Sequence, residues 1–169
     1  MKIKSLIISL LTISLLTAAD AKADQTKLQF RHIDVEKGLS SNTVNNIIQD
    51  KKGFIWIGTD EGLDRIDGTT IKAFKIEPDI TKFSMSSAVM LYLQDSNGNI
   101  WTSSLFDMFI FNPNMGIFTK FEVKTDQGEQ LTPDITSVTE DHSKMIWFTT
   151  RAHGIFSYDL HNGRLKRYA

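Results

Sequence analysis

A short segment recurs three times in this 169-residue chain, and its spacing limits the fold to a repeat architecture. It runs from an aspartate to a tryptophan six positions later, as Asp50–Trp56, Asp95–Trp101 and Asp141–Trp147. The tryptophans are 101 − 56 = 45 and 147 − 101 = 46 residues apart. A period of about 45 residues made of short apolar strands is typical of propeller blades. The sequence therefore predicts a stack of small sheets, one for each repeat.

A turn with special backbone chemistry begins at each of these aspartates and is here called the Asp turn. An aspartate carboxylate can accept bonds from backbone N–H groups two residues on, and Gly53 and Gly98 supply the backbone freedom of a tight hairpin. Lys144 stands at that position in the third repeat, so we expect an altered turn there. The residues predicted to be structural are Asp50, Gly53, Trp56, Asp95, Gly98, Trp101, Asp141 and Trp147.

Each repeat contains four short strands, which predicts an all-β fold of about three four-stranded antiparallel blades. The blades span about residues 30–74, 75–121 and 122–169. The segments 54–57 and 108–111 are apolar at consecutive positions, so both faces of these strands must be covered. Blades that pack face to face around an axis cover both faces, which predicts that the tryptophans lie between blades.

Three blades do not close a ring, because propellers have about four to eight. We expect an incomplete, seven-bladed propeller, which at this period needs about 315 residues. The remaining blades would come from the same or a longer chain. Uncovered end faces recruit partners or aggregate, so we expect the isolated chain to be poorly soluble or oligomeric. The sequence leaves open whether it forms a homodimer.

The N-terminus has the features of a signal peptide, predicted over residues 1–23. Lys2 and Lys4 precede an apolar run, Leu6–Leu16, that is too short for an ordinary spanning helix. Ala21-Lys22-Ala23 favours cleavage before Asp24, with Ala18-Ala19 as an alternative. We therefore expect a periplasmic chain, residues 24–169, with no membrane span after cleavage. An uncleaved membrane anchor is the alternative.

The composition offers little support for metal, cofactor or nucleic-acid chemistry. The charges nearly balance, with 19 basic and 20 acidic residues, so no direct nucleic-acid binding is predicted. The chain has no cysteine, and its histidines at positions 32, 142, 153 and 161 lack metal-ligand spacing. The segment 95–99 partly resembles a calcium loop but coincides with the second Asp turn. We predict no metal site and no cofactor.

The first repeat is similar to the two-component regulator propeller repeat, through Gly38-Leu39-Ser40-Ser41-Asn42-Thr43-Val44, the segment Ile48–Thr59, Gly62-Leu63 and Arg65-Ile66-Asp67. The second repeat keeps Gln94-Asp95, Gly98 and Trp101 but has Asp107 where the family has glycine. The third keeps Asp141, Trp147, Thr150, Gly154 and Asp159 but lacks the turn glycine.

This resemblance implies a sensor rather than an enzyme. Such repeats build the periplasmic sensors of hybrid two-component systems, in which a kinase and a DNA-binding domain follow the propellers. The resemblance implies that this chain is the N-terminal part of such a sensor, that its ligand is an oligosaccharide, and that the kinase lies outside it.

The loops after the second and fourth strands of each blade are expected on one face, where a ligand would bind. An aromatic ring could stack on a sugar, and charged groups could bond its hydroxyls or an acidic sugar. The candidate ligand-binding residues are Asp60, Glu61, Phe106, Asp107, Arg151 and His153. Ordinary loop polarity is the alternative interpretation of these side chains.

Two other functions stay open from the sequence. Lyases and glycan-cleaving enzymes also use propellers, but glycosidase chemistry needs two carboxylates held across one bond, and the sequence shows no such pair. A truncated gene product with no activity of its own is the other alternative. We predict no catalytic residues.

Overall fold

The structure, a computed structural model, describes residues 28–76, 87–104, 107–131 and 134–168. The chain divides into two units, Met1–His32 and Ile33–Ala169. Of the first unit only residues 28–32 are described, and they belong to no helix or strand. The predicted signal peptide over residues 1–23 lies outside the described residues.

The second unit is all-β in its described part, apart from one turn of 3-10 helix at Val35–Lys37. Twelve strands form three four-stranded antiparallel sheets, and each strand pairs with the next within its sheet. This confirms the predicted fold class.

The first blade contains β1 (Val44–Gln49), β2 (Ile55–Thr59), β3 (Gly62–Asp67) and β4 (Thr70–Phe74). The second contains β5 (Met90–Gln94), β6 (Ile100–Ser104), β7 (Asp107–Asn112) and β8 (Ile117–Lys120). The third contains β9 (Ile135–Glu140), β10 (Met145–Thr150), β11 (Ile155–Asp159) and β12 (Leu165–Tyr168).

The three blades stack face to face, with their first strands side by side. Strand β1 packs beside β5, and β5 packs beside β9. One apolar core joins Trp56 and Phe74 of the first blade to Phe111 of the second. A second core joins Trp101 of the second blade to Phe148 of the third. The consecutive apolar positions at 108–111 are thus explained, because the second blade has a neighbouring blade on either side.

Two of the repeated tryptophans lie between blades, as predicted. Trp56 and Trp101 are fully buried. The ring of Trp56 lies 5.4 Å from that of Phe111, and the ring of Trp101 lies 5.8 Å from that of Tyr158, both edge to face. Each tryptophan therefore meets an aromatic ring on the third strand of the next blade, and such pairs add to the free energy of area burial.

The third tryptophan has a different environment. Trp147 is only partly buried, and its ring packs 5.3 Å from that of Tyr168 in its own blade. Its neighbours in β10, Ile146 and Phe148, point into the core shared with the second blade, so Trp147 faces the other side. A cavity of about 480 Å³ lies on the third blade and is lined in part by Ser157 and Tyr168.

The Asp turn is held by one carboxylate that serves three donors. In the first blade, Asp50 Oδ1 accepts bonds from the backbone N of Lys52 and of Phe54, both at 2.9 Å. Its Oδ2 accepts a bond from Trp56 Nε1 at 2.8 Å. The aspartate therefore orders the turn and also satisfies the indole N–H that the core buries.

The same bonding recurs in the other two blades. Asp95 Oδ2 and Asp141 Oδ2 accept the indole bonds of Trp101 and Trp147 at 2.9 and 2.8 Å. Their Oδ1 atoms accept backbone bonds at 2.8–3.0 Å from Asn99, Ser143 and Met145. The spacing of six residues thus places the indole N–H of each tryptophan within hydrogen-bond distance of the aspartate carboxylate.

The expectation of an altered third turn is wrong. Lys144 has φ 63°, close to the positive φ of Gly53 and Gly98 at 88° and 87°. Its backbone N donates to Asp141 O at 3.0 Å, as the two glycines do to Asp50 and Asp95, also at 3.0 Å. The carboxylate bonds hold the turn in place, so the lysine takes the left-handed conformation at a steric cost of about 1–2 kcal/mol.

Replacing Lys144 with glycine is expected to stabilise the protein by about 0.5–1 kcal/mol. The change removes the steric cost of a lysine with positive φ, and this gain exceeds the free energy lost because glycine makes the unfolded chain more flexible. The midpoint of urea unfolding should rise while the slope with urea concentration stays constant. The reverse change, Gly98→Lys, should lower the midpoint by a similar amount. A lower midpoint for Lys144→Gly would show that the third turn is not strained.

The pKa of the Asp141 carboxyl should be low because of its turn. The bond from Trp147, followed by the backbone bonds from Met145 and Ser143, lowers this pKa below its usual value. The stabilisation is therefore present above the unfolded-state pKa and is lost as the pH falls through the lower, folded pKa. A carbon-13 carboxyl NMR titration should show the low pKa, and Trp147→Phe should raise it. An unchanged pKa in the variant would contradict this cause.

Self-association of the isolated chain stays a prediction. The partly buried Trp147 and Tyr168 give it a structural basis, because they lie on the side of β10 away from the second blade. Light scattering of the purified chain should show oligomers or aggregates at micromolar concentration. A monomer that unfolds in one sharp transition would contradict the prediction.

Candidate ligand-binding face

The turns that carry the predicted site lie where the inner strands β1, β5 and β9 begin, at what is here called the upper end. The antiparallel registers pair Thr59 with Val44, Ser103 with Met90, and Thr150 with Ile135. The end of each second strand is therefore beside the start of its own inner strand. Because the inner strands lie side by side, the ends of the three second strands are found at one end of the blades.

Asp60 and Glu61 occupy the turn between β2 and β3. Both are exposed. The backbone N of Asp60 donates to Thr43 O at 3.2 Å, and that of Glu61 donates to Thr59 Oγ1 at 3.2 Å. These bonds fix the turn and leave both carboxylates in contact with solvent at the upper end.

Asp107 does not present an isolated carboxylate. It is partly buried at the start of β7, and its Oδ1 lies 2.9 Å from Lys120 Nζ, which also lies 3.3 Å from Glu122 Oε1. The hydrogen bond to Asp107 is the main cause that raises the pKa of Lys120. Asp107 is therefore half of an ion pair. Phe106 lies outside the described residues.

Arg151 and His153 lie in the exposed turn between β10 and β11. The backbone N of Arg151 donates to Asp134 O at 3.0 Å, and His153 Nδ1 lies 3.3 Å from Asp134 Oδ2. Arg167 Nε donates to His153 O at 2.9 Å. This turn is thus tied to the start of β9 and to β12, and it forms the rim of the third blade at the upper end.

A groove of about 570 Å³ runs across the starts of the inner strands and is here called the axial groove. Among the described residues that line it, Asp60 carries the only charge. The other lining residues are Asn45, Asn46, Ala88, Val89, Met90, Leu91, Tyr92, Ser103, Ile135, Thr136, Ser137 and Val138. Of the predicted site residues that the structure describes, it brings only Asp60 to this groove.

The polar side chains of the groove are held by hydrogen bonds. Tyr92 Oη lies 3.0 Å from Ser103 Oγ, and Asn45 Nδ2 donates to Val89 O at 3.2 Å. Thr136 Oγ1 lies 2.8 Å from Thr149 Oγ1. Burial raises the pKa of Tyr92, so its phenol is neutral at physiological pH and can both donate and accept a bond.

Sequence reasoning missed these groove residues because it looked for ligand contacts in loops. Asn45, Tyr92 and Thr136 belong to β strands, and a strand residue with a polar side chain has no distinctive sequence signal.

Neither a membrane-spanning helix nor a metal-binding cluster occurs among the described residues. None of the helices in the described ranges is long and apolar enough to cross a membrane. Over those same ranges, no group of three or more histidine or acidic side chains is placed to hold a metal ion.

Comparison with known proteins identifies the class. The model of the two-component regulator propeller family matches residues 38–61, which include the first Asp turn. Histidine kinase P4 of Formosa agariphila is 37% identical over 62 residues, which are 37% of this chain and 4% of that protein. The first repeat of this chain is therefore similar to the two-component regulator propeller repeat.

Solved structures extend the similarity over most of the chain. The extracellular domain of the hybrid two-component system BT3049 from B. thetaiotaomicron has a TM-score of 0.66 and 28% identity over 82% of this chain. The extracellular domain of BT4673, a one-component system from the same organism, has a TM-score of 0.62 and 20% identity over 86%. The chain is therefore homologous to part of the extracellular domain of a hybrid two-component system.

The chain spans only a small part of these relatives. It covers 20% of the first solved structure and 19% of the second. The activity, ligands and partners of a whole sensor are therefore matters for proposal.

Proposed function

We propose that this chain is an exported ligand-sensing propeller module, the N-terminal part of a hybrid two-component sensor. Its signal would be an extracytoplasmic oligosaccharide, and its output would be transcription controlled through a downstream kinase. The observation that carries this proposal is the stack of three blades, which shares its fold with the extracellular domain of a hybrid two-component system. The second support is the match of the first repeat to the regulator propeller family.

The upper end is the part of the module that would meet the ligand. It combines exposed turns with a groove of a size suited to a small ligand. Asp60 reaches the groove, and Arg151 and His153 stand at the rim. Binding there would shift the kinase only if the ligand has different affinities for two arrangements of the sensor.

Export would place the module in the periplasm. The basic, apolar and small-residue pattern of residues 1–23 supports this part of the proposal. N-terminal sequencing of the protein from a periplasmic fraction should begin at Asp24 or a few residues earlier. Recovery of the protein from the membrane fraction with Met1 intact would contradict cleavage.

Deletion of the gene tests the sensing function. The source organism would be grown on single defined polysaccharides, and its transcripts would be compared with those of the deletion strain. We expect one set of genes to lose its induction on one polysaccharide, and the intact gene to restore it. Equal transcription in both strains on every polysaccharide would contradict a sensor role.

Substitutions at the rim test where the ligand binds. In the complete sensor, Arg151→Ala and Phe106→Ala should weaken oligosaccharide binding if the rim contributes to the site. Lys52→Ala, in the first Asp turn at the opposite end of the blade, is the matched control. If both rim variants bind as the wild type does, the rim is not part of the site.

A further inference from the structure

The axial groove has a feature that is repeated in all three blades: a β-bulge in each inner strand. The register of β1 breaks between Val44 and Asn46, and that of β5 breaks between Leu91 and Leu93. In β9, Ser137 and Ile135 pair with the consecutive residues Thr149 and Thr150 of β10, so one residue of β9 is left out of the pairing. The residues left unpaired are Asn45, Tyr92 and Thr136.

All three bulged residues line the axial groove. A bulge adds one residue to a strand and re-aims its side chain, and bulges are frequent next to functional sites. Three independent bulges that deliver side chains to one groove are not required to hold the blades together, because the apolar cores between the blades do that.

The bulged side chains share one kind of chemistry. An amide, a phenol and a hydroxyl each form hydrogen bonds without carrying charge. Asn45 uses its NH₂ group on Val89 O, and its carbonyl oxygen is an additional acceptor. Tyr92 bonds one hydroxyl partner, whereas Thr136 Oγ1 bonds Thr149 Oγ1 and also donates to Thr149 O. Each of the two hydroxyl oxygens still has acceptor capacity for a ligand.

The other residues that line the axial groove restrict the class of ligand that it can bind. Met90, which is 41% exposed, and the partly buried Ile135 supply apolar surface beside these polar groups, which suits the C–H faces of a sugar ring. Asp60 is the only charged residue among the described lining residues. A uronate or sulfated sugar would meet this carboxylate, and the described lining residues include no cation to offset the repulsion.

We propose that the axial groove binds an uncharged oligosaccharide, and that Asn45, Tyr92 and Thr136 bond its hydroxyls. The proposal rests on the proposed sensing function and adds to it a location and a ligand class. It also predicts that Asp60 discriminates against anionic sugars.

Binding to two sets of probes tests the proposal. As for the rim variants, the complete sensor would be titrated by calorimetry, with xylohexaose, mannohexaose, cellohexaose and maltohexaose as neutral probes. Hexagalacturonic acid and a heparin hexasaccharide would serve as anionic probes. We expect at least one neutral probe to bind, with an affinity at least tenfold above that of either anionic probe.

Variants then locate the site. Tyr92→Phe and Asn45→Ala should each weaken binding of the neutral probe about tenfold, since each removes a hydrogen-bonding group from a ligand hydroxyl. Tyr168→Phe is the matched control, because it removes a phenol hydroxyl that lies outside the groove. The affinity of this variant for the neutral probe should stay within twofold of the wild-type affinity. The melting temperature of each variant would show that it is folded.

Each outcome has a distinct meaning. Neutral binding that both groove variants leave unchanged would overturn the groove and leave the sensing function standing. Binding of anionic probes alone would overturn the ligand class. Binding of no probe at millimolar concentration would overturn the groove proposal, whereas the gene deletion would still decide the sensing function.

Discussion

Replacing Trp101 with alanine is expected to lower the free energy of unfolding by about 3–5 kcal/mol. The side chain is fully buried between the second and third blades, where it contacts the rings of Phe121, Phe148 and Tyr158. The change also leaves Asp95, which is 1% exposed, without its bond from the indole N–H. Urea unfolding at one fixed protein concentration would measure the loss.

Trp147→Ala is the matched control for this prediction. It removes the same side chain and the same bond to an Asp turn, but from a partly buried site. We expect its cost to be about half that of Trp101→Ala or less, since less apolar area is lost from the core. Equal losses at the two positions would contradict the assignment of Trp101 to a blade interface and of Trp147 to an uncovered side.

Replacing Gly58 with alanine is expected to cost about 1–3 kcal/mol through overpacking. A Cβ atom at Gly58 would lie 2.5 Å from Val89 O and 2.9 Å from Asn46 Oδ1. Asn46 bonds both the backbone N and O of Leu91 across the blade interface, so neither neighbour can move without disturbing the contact between β1 and β5.

Thr149→Ala is the control for the glycine substitution. Thr149 holds the position of Gly58 in the third blade, two residues after the tryptophan, and it is exposed. Its truncation removes the bond to Thr136 Oγ1, which lies in an exposed place where water can replace it, so the free energy of unfolding should change by about 0.5 kcal/mol. If Gly58→Ala is equally mild, the two blades approach less closely than the structure shows.

The blade repeat could be predicted from the sequence because its signal is local. The Asp turn places an aspartate six residues before a tryptophan, and one hydrogen bond fixes that spacing in every blade. Consecutive apolar residues likewise indicated strands covered on both faces. The third turn was predicted wrongly because the glycine rule ignores the carboxylate bonds that hold Lys144 with a positive φ.

The candidate site could be predicted only in part because its geometry depends on strand pairing. The turn residues Asp60, Arg151 and His153 were placed at one end from the order of the strands alone. The sequence could not show that Lys120 pairs with Asp107, since that ion pair joins the first and last residues of neighbouring strands. Nor could it show the bulges, which exist only relative to a partner strand.

Hydrogen exchange of the chain with and without a mixture of the neutral hexasaccharides tests most directly whether the upper end is a ligand-sensing face. Our account predicts slower exchange in residues 44–46, 88–92 and 135–138, with the Asp turns at the opposite end unchanged. Slower exchange confined to those turns or to the side of the third blade that carries Trp147, or no change anywhere, would contradict it.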